Sequence, residues 1–488
     1  MIIRYADNGQ SYWTGYFTSR QGLKSESRSA HGFLRAVETT HAFVRDIFPV
    51  DSEAQLKDLY LLKSTEAVVQ HHDGVTGTYR DLVGKDYFKL LAGGVAAANN
   101  VFDDNVGRLV SGGLTNQLTS NVSAIEDLIN VGRAASVVVT NPLSWERVEY
   151  VHVAGLSTDE FEVVQHNGQG AVAFQVNLSP DGTTFDLFVK VTVPALGVTS
   201  FVVEPLTGKH KGPVIKAVRP QRVSNRLPAI ENEYVYIEIN NATNCIGLVI
   251  NKVSGAAVTG DQTAHVYASY NSGQTSGAYI FRPRGSATPA AVASVETVTG
   301  PYVNEIRTTY AGQSWVQITR LFSGLDALEG SAIHVEHIIG PLVTDHEVVM
   351  RFNTDLATGS TFYTDSNGLE LMQRTNSPTG RPGDSDEGVR IAGNYYPAVT
   401  RAFIRDANTG TQLTYVSQSS HGAASLANGQ LEVMLHRRCS RDDARGMNEP
   451  LNDADKISGY FRFFVDGPEE SGTGSNDNFF KLMLLFFF

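Results

Sequence analysis

Apolar side chains recur at helical spacing through about the first hundred residues of the chain. Three such segments follow one another closely, and Pro49 ends the first, because proline removes a backbone donor and clashes with the preceding turn. Helices joined by short connections pack as antiparallel neighbours, so the pattern predicts a three-helix bundle over residues 1–105. The apolar positions are Phe33, Leu34, Val37, Val44, Ile47 and Phe48, then Leu56, Leu59, Leu62 and Val69, then Leu82, Tyr87, Leu90, Leu91 and Val95.

Beyond about residue 135 apolar and polar residues alternate, which predicts strands. Turn signals such as SPDGT at 179 separate the alternating segments, and almost no helical pattern intervenes. We therefore predict an α+β chain: an N-terminal antiparallel helical bundle followed by mostly antiparallel β-sandwich domains. The first sandwich region, with a linker, spans 106–228 and the larger one spans 229–467. One face of FDLFVKVTV carries Phe185, Leu187, Val189, Val191 and Val193, and one face of YVYIEI carries Val235, Ile237 and Ile239.

Composition and charge exclude several classes of protein. The chain has 488 residues, 42% of them hydrophobic, and a formal net charge of -12, which is typical of a globular protein without a nucleic-acid-binding surface. No apolar run reaches about 18 residues, so we expect no membrane span. The first residues lack the apolar core of a signal peptide, and residues 468–488 form an atypical apolar tail. The sequons at Asn121, Asn177 and Asn241 are glycosylation sites if the chain enters the secretory pathway.

The stretch QHHDGVTGT at 70–78 is the first candidate for chemistry. His72 offers an imidazole nitrogen suited to Zn²⁺, and Asp73 offers carboxylate oxygens that accept hydrogen bonds from sugar hydroxyls. Gly74 and Gly77 allow a sharp backbone turn beside a ligand. The alternative is a polar helix end, because one or two histidines do not complete a zinc site of about four ligands.

Three further residues are candidates for sugar binding. Trp13 lies in the aromatic segment YWTGYFTSR, and such rings stack on sugars or pack in cores. Tyr279 in SGAYIFRP presents a hydroxyl, or is a buried ring at a strand edge. Arg445 in HRRCSRDDARG donates several hydrogen bonds to hydroxyls, or belongs to a solvated loop of paired charges. From each segment taken alone, the functional signal is weak and the structural alternative is favoured for Trp13 and Tyr279.

Taken together in chain order, these segments resemble one family. YWTGYFTSR, QHHDGVTGT, TNPLSW, SGAYIFRP, FYTDSNG, AGNYYPAVTR and HRRCSRDDARG are similar to the middle and C-terminal regions of glycoside hydrolase family 38 α-mannosidases of the lysosomal type. The similarity runs from about Tyr5 to about Pro450. It implies a retaining, zinc-dependent hydrolysis of terminal α-D-mannose residues of glycans, in which one carboxylate attacks the anomeric carbon and a second carboxylic acid protonates the leaving oxygen.

The resemblance also assigns roles to residues of this chain. His72 is implied as a zinc ligand, whereas His71 is expected to be structural. Asp73, Trp13, Tyr279 and Arg445 are implied as substrate-binding residues. The Zn²⁺ is expected to bind the O2 and O3 hydroxyls of the mannose.

The sequence departs from the family in lacking the N-terminal α/β catalytic barrel, which carries the nucleophile, the general acid and most zinc ligands. No catalytic residue is therefore assigned, the zinc site is expected to be incomplete, and the chain alone is expected not to hydrolyse α-mannosides. Two forms of the enzyme are open: an α-mannosidase whose gene model or chain is truncated, and a chain that pairs with a separate N-terminal catalytic chain. The resemblance implies a lysosome, a vacuole or secretion. The alternatives are a non-catalytic carbohydrate-binding or scaffold module and a product without function.

Overall fold

The helices lie almost entirely in the first third of the chain. The computed structural model describes residues 5–9, 11–112, 122–165, 172–206, 217–219, 221–222, 228–312, 314–377, 384 and 386–468. A short 3₁₀ helix at Gly15–Phe17 precedes the longer ones. The α-helices are α1 Gln21–Ile47, α2 Ser52–Val69, α3 Asp81–Ser111, α4 Val122–Asn130, α5 Ala327–Gly330 and α6 Glu387–Ala392.

Helices α1, α2 and α3 pack into the predicted bundle around a narrow apolar stripe. Val37, Val44 and Leu62 are fully buried in it, as the helical spacing predicts. The predicted faces are wrong at four exposed positions: Ile47 (62% exposed), Leu56 (50%), Leu82 (77%) and Leu90 (37%). Ile47 is the last residue of α1 and Leu82 lies in the first turn of α3, whereas Leu56 and Leu90 lie within α2 and α3 on the solvent side of the bundle.

The rest of the described chain consists mainly of strands. Those before residue 206 are β1 Ala135–Thr140, β2 Arg147–Leu156, β3 Phe161–Gln165, β4 Phe174–Leu178, β5 Phe185–Val193 and β6 Val198–Pro205. The later ones are β7 Gln221–Arg222, β8 Ala229–Glu231, β9 Val235–Asn240, β10 Cys245–Asn251, β11 Ala257–Ala268, β12 Thr288–Pro289, β13 Val292–Thr299, β14 Val303–Tyr310, β15 Trp315–Phe322, β16 Ile333–Ile339, β17 His346–Thr354, β18 Thr361–Asp365, β19 Leu371–Thr375, β20 Tyr396–Ala398, β21 Arg401–Arg405, β22 Gln412–Ser417, β23 His421–Ala424, β24 Gln430–Arg438 and β25 Ile457–Asp466.

These strands form two sandwiches. The small sandwich has the sheets β1-β6-β3 and β2-β5-β4, and its core includes the predicted face of FDLFVKVTV, with Leu187 and Val189 fully buried. The large sandwich has the sheets β20-β23-β24-β17-β11-β10-β9-β8, with β12 on β11, and β19-β18-β21-β22-β25-β16-β15-β14-β13-β7. Its core includes Val235, Ile237 and Ile239, again as predicted. All pairings between these strands are antiparallel, which confirms the predicted α+β class.

The prediction that Asn177 is a glycosylation site is wrong for this fold. Asn177 lies in β4, is fully buried, and its Oδ1 accepts a hydrogen bond of 2.7 Å from Gln175 Nε2. A glycan needs a solvent-exposed asparagine, and Asn241, in an exposed turn after β9, meets that condition. Asn121, most of the predicted linker and the tail from 469 onward lie outside the described residues.

The structure gives the bounds of elements, and the predicted domain division at residues 105, 228 and 467 remains a prediction. Helix α3 continues to Ser111 and ends at Gly112, whose left-handed backbone closes the helix. No helix in the described ranges is long and apolar enough to cross a membrane.

Candidate active-site wall

The turn after α2 presents the QHHD residues at the end of the bundle. Helix α2 ends at Val69, and the backbone then folds back so that Val75 N donates to Val69 O at 2.8 Å. Gly77 has φ +78°, and a Cβ there would lie 2.2 Å from Ser19 O. From below, the buried Lys24 Nζ donates to Val75 O at 2.6 Å. The turn is thus fixed by α1 and by the segment before it.

His72 and Asp73 project from this turn toward solvent. The His72 side chain is 83% exposed, and its Nε2 lies 3.5 Å from Asp73 Oδ2. His71 also faces the carboxylate, with Nε2 at 3.6 Å from Asp73 Oδ2 and half of its side chain exposed. The prediction treated His71 as structural only, but its ring lies beside that of His72 in the same cluster.

Asp73 is joined to a residue from the large sandwich. Tyr279 OH donates to Asp73 Oδ1 at 3.1 Å, and Thr78 Oγ1 donates to the same oxygen at 2.8 Å. Burial, followed by the nearby Asp73 carboxylate, raises the pKa of Tyr279, so its hydroxyl keeps its proton and remains a donor. Tyr279 lies in a loop, so the strand-edge alternative for this residue is wrong.

Trp13 completes an aromatic cluster beside the carboxylate. Its ring meets Tyr279 edge-on with centroids 4.9 Å apart, and Tyr5 meets it from another side at 4.8 Å. The adjoining Gly15 N donates to Tyr279 O at 3.0 Å, which ties the two segments together. Trp13 Nε1 is buried and has no hydrogen-bond partner among the described residues, which leaves a donor for a ligand.

Arg445 lies near this cluster but is engaged with the protein. Its Nη2 donates to Asp7 Oδ1 at 3.0 Å and to Gln274 Oε1 at 3.1 Å, and its Nη1 donates to Asp443 O at 2.9 Å. Asp443 in turn accepts from Tyr279 N at 2.7 Å. Arg445 therefore fixes the approach to the site, and its contact with a sugar stays a prediction.

We call His71, His72, Asp73, Trp13 and Tyr279 the rim. Three of its side chains, those of His71, His72 and Asp73, offer ligand atoms within 4.8 Å of one another, and within the described part of the chain they form a group that could hold a metal ion. Imidazole nitrogen and carboxylate oxygen are zinc donors, so the donor chemistry fits Zn²⁺. Asp73 Oδ1 already accepts two hydrogen bonds, so the rim fits as part of a zinc site that needs further ligands.

A second group, which we call the support, lies beneath the rim and consists of Ser19, Gln21, Glu347, His421 and Arg437. Arg437 and Glu347 form a fully buried ion pair with Nε to Oε2 at 2.6 Å. The same guanidinium donates to Ser19 Oγ, Ser276 Oγ and the carbonyls of Gly277 and Ile280. It therefore holds the loop that carries Tyr279.

The support also anchors the first turn of α1. Gln21 Nε2 donates to Ser420 O at 2.9 Å and lies 3.2 Å from His421 Nδ1. Ser419 Oγ donates to Gln21 Oε1 at 3.0 Å. The bundle is therefore bonded to the large sandwich immediately beside the rim.

Two family models match most of the chain. The model of the alpha mannosidase middle domain matches residues 11–109, and the model of the glycosyl hydrolases family 38 C-terminal domain matches residues 230–445. The two matches contain all the rim residues. The chain therefore belongs to glycoside hydrolase family 38, through its middle and C-terminal domains.

Among individual proteins, the chain is similar to lysosomal alpha-mannosidases. It is 32% identical to that of Dictyostelium discoideum, over 93% of this chain and 48% of the relative. It is 33% identical to that of Homo sapiens, over 92% of this chain and 44% of the relative. The chain thus spans about half the length of the curated relatives it matches.

A solved structure shows the same fold. The crystal structure of an alpha-mannosidase from Enterococcus faecalis V583 superposes with a TM-score of 0.66 over 98% of this chain and 58% of that chain. The sequence identity is 14%, so this likeness concerns the fold alone.

Proposed function

We propose that this chain forms one wall of the mannose- and zinc-binding centre of a retaining α-mannosidase that acts on terminal α-D-mannose residues of glycans. The observation that carries the proposal is the hydrogen bond from Tyr279 OH to Asp73 Oδ1, beside the exposed imidazole of His72. It joins segments about two hundred residues apart into one polar, aromatic surface. Such a combination of rings and directed polar atoms suits a pyranose.

Each rim residue has a distinct part in this proposal. Asp73 is held by Tyr279 and Thr78 so that its second oxygen accepts hydrogen bonds from sugar hydroxyls. Trp13 offers its free Nε1 donor and the ring that bounds the pocket. Arg445 orients the segment around Asp7 and Tyr5 at the entrance.

The metal expected of the family is Zn²⁺, and His72 is the residue of this chain that would hold it. The exposed imidazole of His72 is suited to that role, with His71 and Asp73 beside it. When bound, zinc would supply charge stabilisation and orientation of the sugar hydroxyls. His72 alone provides too few donors for tight binding, so further ligands have to come from other protein.

No residue of this chain is assigned as nucleophile or general acid. The chain is therefore proposed to be inactive alone and to act with a separate N-terminal catalytic chain. We propose that the complete enzyme acts in a lysosome, a vacuole or outside the cell, a location supported by the names of its lysosomal relatives.

Zinc titration with and without an N-terminal half tests the proposal. The N-terminal half of a lysosomal relative is added to the purified chain, and Zn²⁺ binding and hydrolysis of an aryl α-mannoside are measured. We expect weak zinc binding and no turnover by the chain alone. With the added half, we expect tighter zinc binding and turnover that a chelator removes.

Variants assign the effect to the rim. His72→Ala should weaken zinc binding in the mixture by more than about tenfold, because even the loss of a residue that supports a zinc ligand costs about 10–100-fold. His31→Ala, at a side chain of α1 that is 39% exposed, is the control and should leave zinc binding unchanged. Turnover by the chain alone would contradict the proposed division of the site. Unchanged zinc affinity in His72→Ala would contradict its role as a ligand.

A further inference from the structure

A cleft that is separate from the rim lies between the two sandwiches. This cleft has a volume of about 430 Å³ and shares no lining residue with the rim. Strands β2 and β5 of the small sandwich form one wall, and strands β15, β16 and β25 of the large sandwich form the other. Its volume falls within the range of about 300–1,000 Å³ that is typical of small-molecule sites.

Pairs of stacked rings line the cleft. The His152 ring lies parallel to that of Phe188, with centroids 4.4 Å apart, and Tyr150 stacks on Phe322 at 5.0 Å. Tyr150 OH donates to Ser323 O at 2.8 Å, so this second stack bridges the two sandwiches and is fixed in place. The outer rings of both stacks are only partly buried and offer flat surface to a ligand.

The charged groups of the cleft are already paired. Arg320 bonds Glu336 at 2.6 Å and the buried Glu305 at 2.9 Å, and Arg462 bonds Glu329 at 3.1 Å. Each guanidinium therefore has its carboxylate, which disfavours an anionic ligand. Such pairs present donors and acceptors side by side, and a hydroxyl group, which both donates and accepts, matches that arrangement.

One buried polar atom at the cleft has no partner. His334 is 6% exposed, and its Nδ1 is in contact with Tyr460 OH. Its Nε2 is buried without a hydrogen-bond partner among the residues that the structure describes. An unsatisfied buried nitrogen is costly, and a hydroxyl group of a ligand in the cleft would satisfy it.

We propose that this cleft is a second carbohydrate-binding site, which takes a neutral sugar residue or a short neutral oligosaccharide. Partly exposed stacked rings, compensated charge and an unpartnered imidazole nitrogen together fit a polyhydroxylated, uncharged ligand. The proposal does not rest on hydrolysis at the rim, and the two sites can succeed or fail separately.

The test is sugar binding to the purified chain, measured by saturation-transfer NMR and calorimetry. The probes are methyl α-D-mannoside, lactose and maltotriose, with inorganic phosphate as the anionic probe. Gln418→Trp fills the cleft and should weaken binding of at least one neutral sugar by more than tenfold. Gln373→Trp, on exposed β19, is the matched control and should leave binding unchanged.

A second cleft variant, and measurements in a protein that also carries a substitution in the rim, separate binding at the two sites. His152→Ala removes a partly exposed ring without filling space, and it should weaken binding by up to about tenfold. All measurements are repeated with Asp73→Asn, so that binding at the rim is recognised separately. Thermal unfolding of each variant shows that it is folded.

Binding that persists in Asp73→Asn and is weakened in both cleft variants supports the proposal. The proposal is overturned if no neutral sugar binds the unsubstituted chain, whether or not phosphate binds, or if both cleft variants bind as well as Gln373→Trp. Binding lost in Asp73→Asn but retained in the cleft variants assigns the sugar to the rim alone and also overturns it.

Discussion

The rim and the support lie next to each other but differ in how far their polar groups are hydrogen-bonded within the protein. In the rim, His72 is exposed and Trp13 Nε1 has no partner among the described residues. In the support, Arg437 is fully buried and donates to one carboxylate, two hydroxyls and two carbonyls. The rim therefore keeps bonding capacity for a ligand, and its geometry is fixed by charges that the ligand never meets.

The largest expected effect is the loss of the buried ion pair. Arg437→Met leaves the Glu347 carboxylate buried without its partner, so the free energy of unfolding should fall by about 3–5 kcal/mol. Urea unfolding measures this change. The matched control is Arg35→Met, which removes an exposed pair on α1 and should cost less than about 1 kcal/mol.

A double variant shows whether the cost comes from the orphaned charge. Arg437→Met combined with Glu347→Gln removes both charges and should recover part of the loss. Equal stability of the Arg437→Met and Arg35→Met proteins would contradict the role given to the support.

The next effect is a pH dependence of stability that arises from buried histidines. Burial lowers the pKa of His421, in the support, to about 4 and that of His337, a buried residue of β16, to about 3, from an ordinary value of 6.5. The unfolded chain therefore binds protons that the folded chain does not. The contribution of these two histidines to the free energy of unfolding is fully present above pH 6.5. It falls as the pH drops toward 4, by up to about 1.4 kcal/mol per pH unit for each group.

Urea unfolding between pH 7 and pH 4.5 measures the slope. His421→Gln removes one of these buried rings and should make the slope shallower. An equal slope in the unsubstituted protein and in His421→Gln would show that His421 is not held neutral by the fold.

The fold could be predicted from local patterns to a large extent. The stripes of α1 and the alternation in β5 and β9 mark buried faces, because burial follows the period of each element. The convergence of Trp13, Asp73 and Tyr279 has no local signal, since each segment alone is explained as well by core packing or a polar turn. The expectation that these three residues belong to one site came from the resemblance to a family.

Arg437 shows why the support was missed. In HRRCSRDDARG it looks like part of a solvated loop, and alternation from Leu431, Val433 and Leu435 would place it on the inner face of the sandwich. A register irregularity between β17 and β24 pairs Arg437 with Glu347, on the face that meets the bundle. A bulge of one residue is not visible in a hydrophobic pattern.

A smaller effect is expected where the turn of the rim touches the support. Gly77→Ala places a Cβ 2.2 Å from Ser19 O at a residue with φ +78°, so we expect a loss of about 1–3 kcal/mol in unfolding free energy. Gly93→Ala is the matched control, because its Cβ meets nothing within 4 Å in α3. It should stabilise the protein by about 0.4–1 kcal/mol. Losses of equal size in both variants would contradict a specific close contact at Gly77.

The smallest expected effect on stability is at the rim itself. Asp73→Asn keeps the size of the side chain and an oxygen that can accept from Tyr279 and Thr78 in a partly exposed position, so unfolding free energy should change by less than about 1 kcal/mol. Zinc binding in the mixture with an N-terminal half should nevertheless weaken, because an uncharged amide is a poorer zinc ligand than a carboxylate. A stability loss as large as that of Arg437→Met would mean that Asp73 is a structural residue. Its exposed oxygen would then have no need of a ligand, and the division between rim and support would fail.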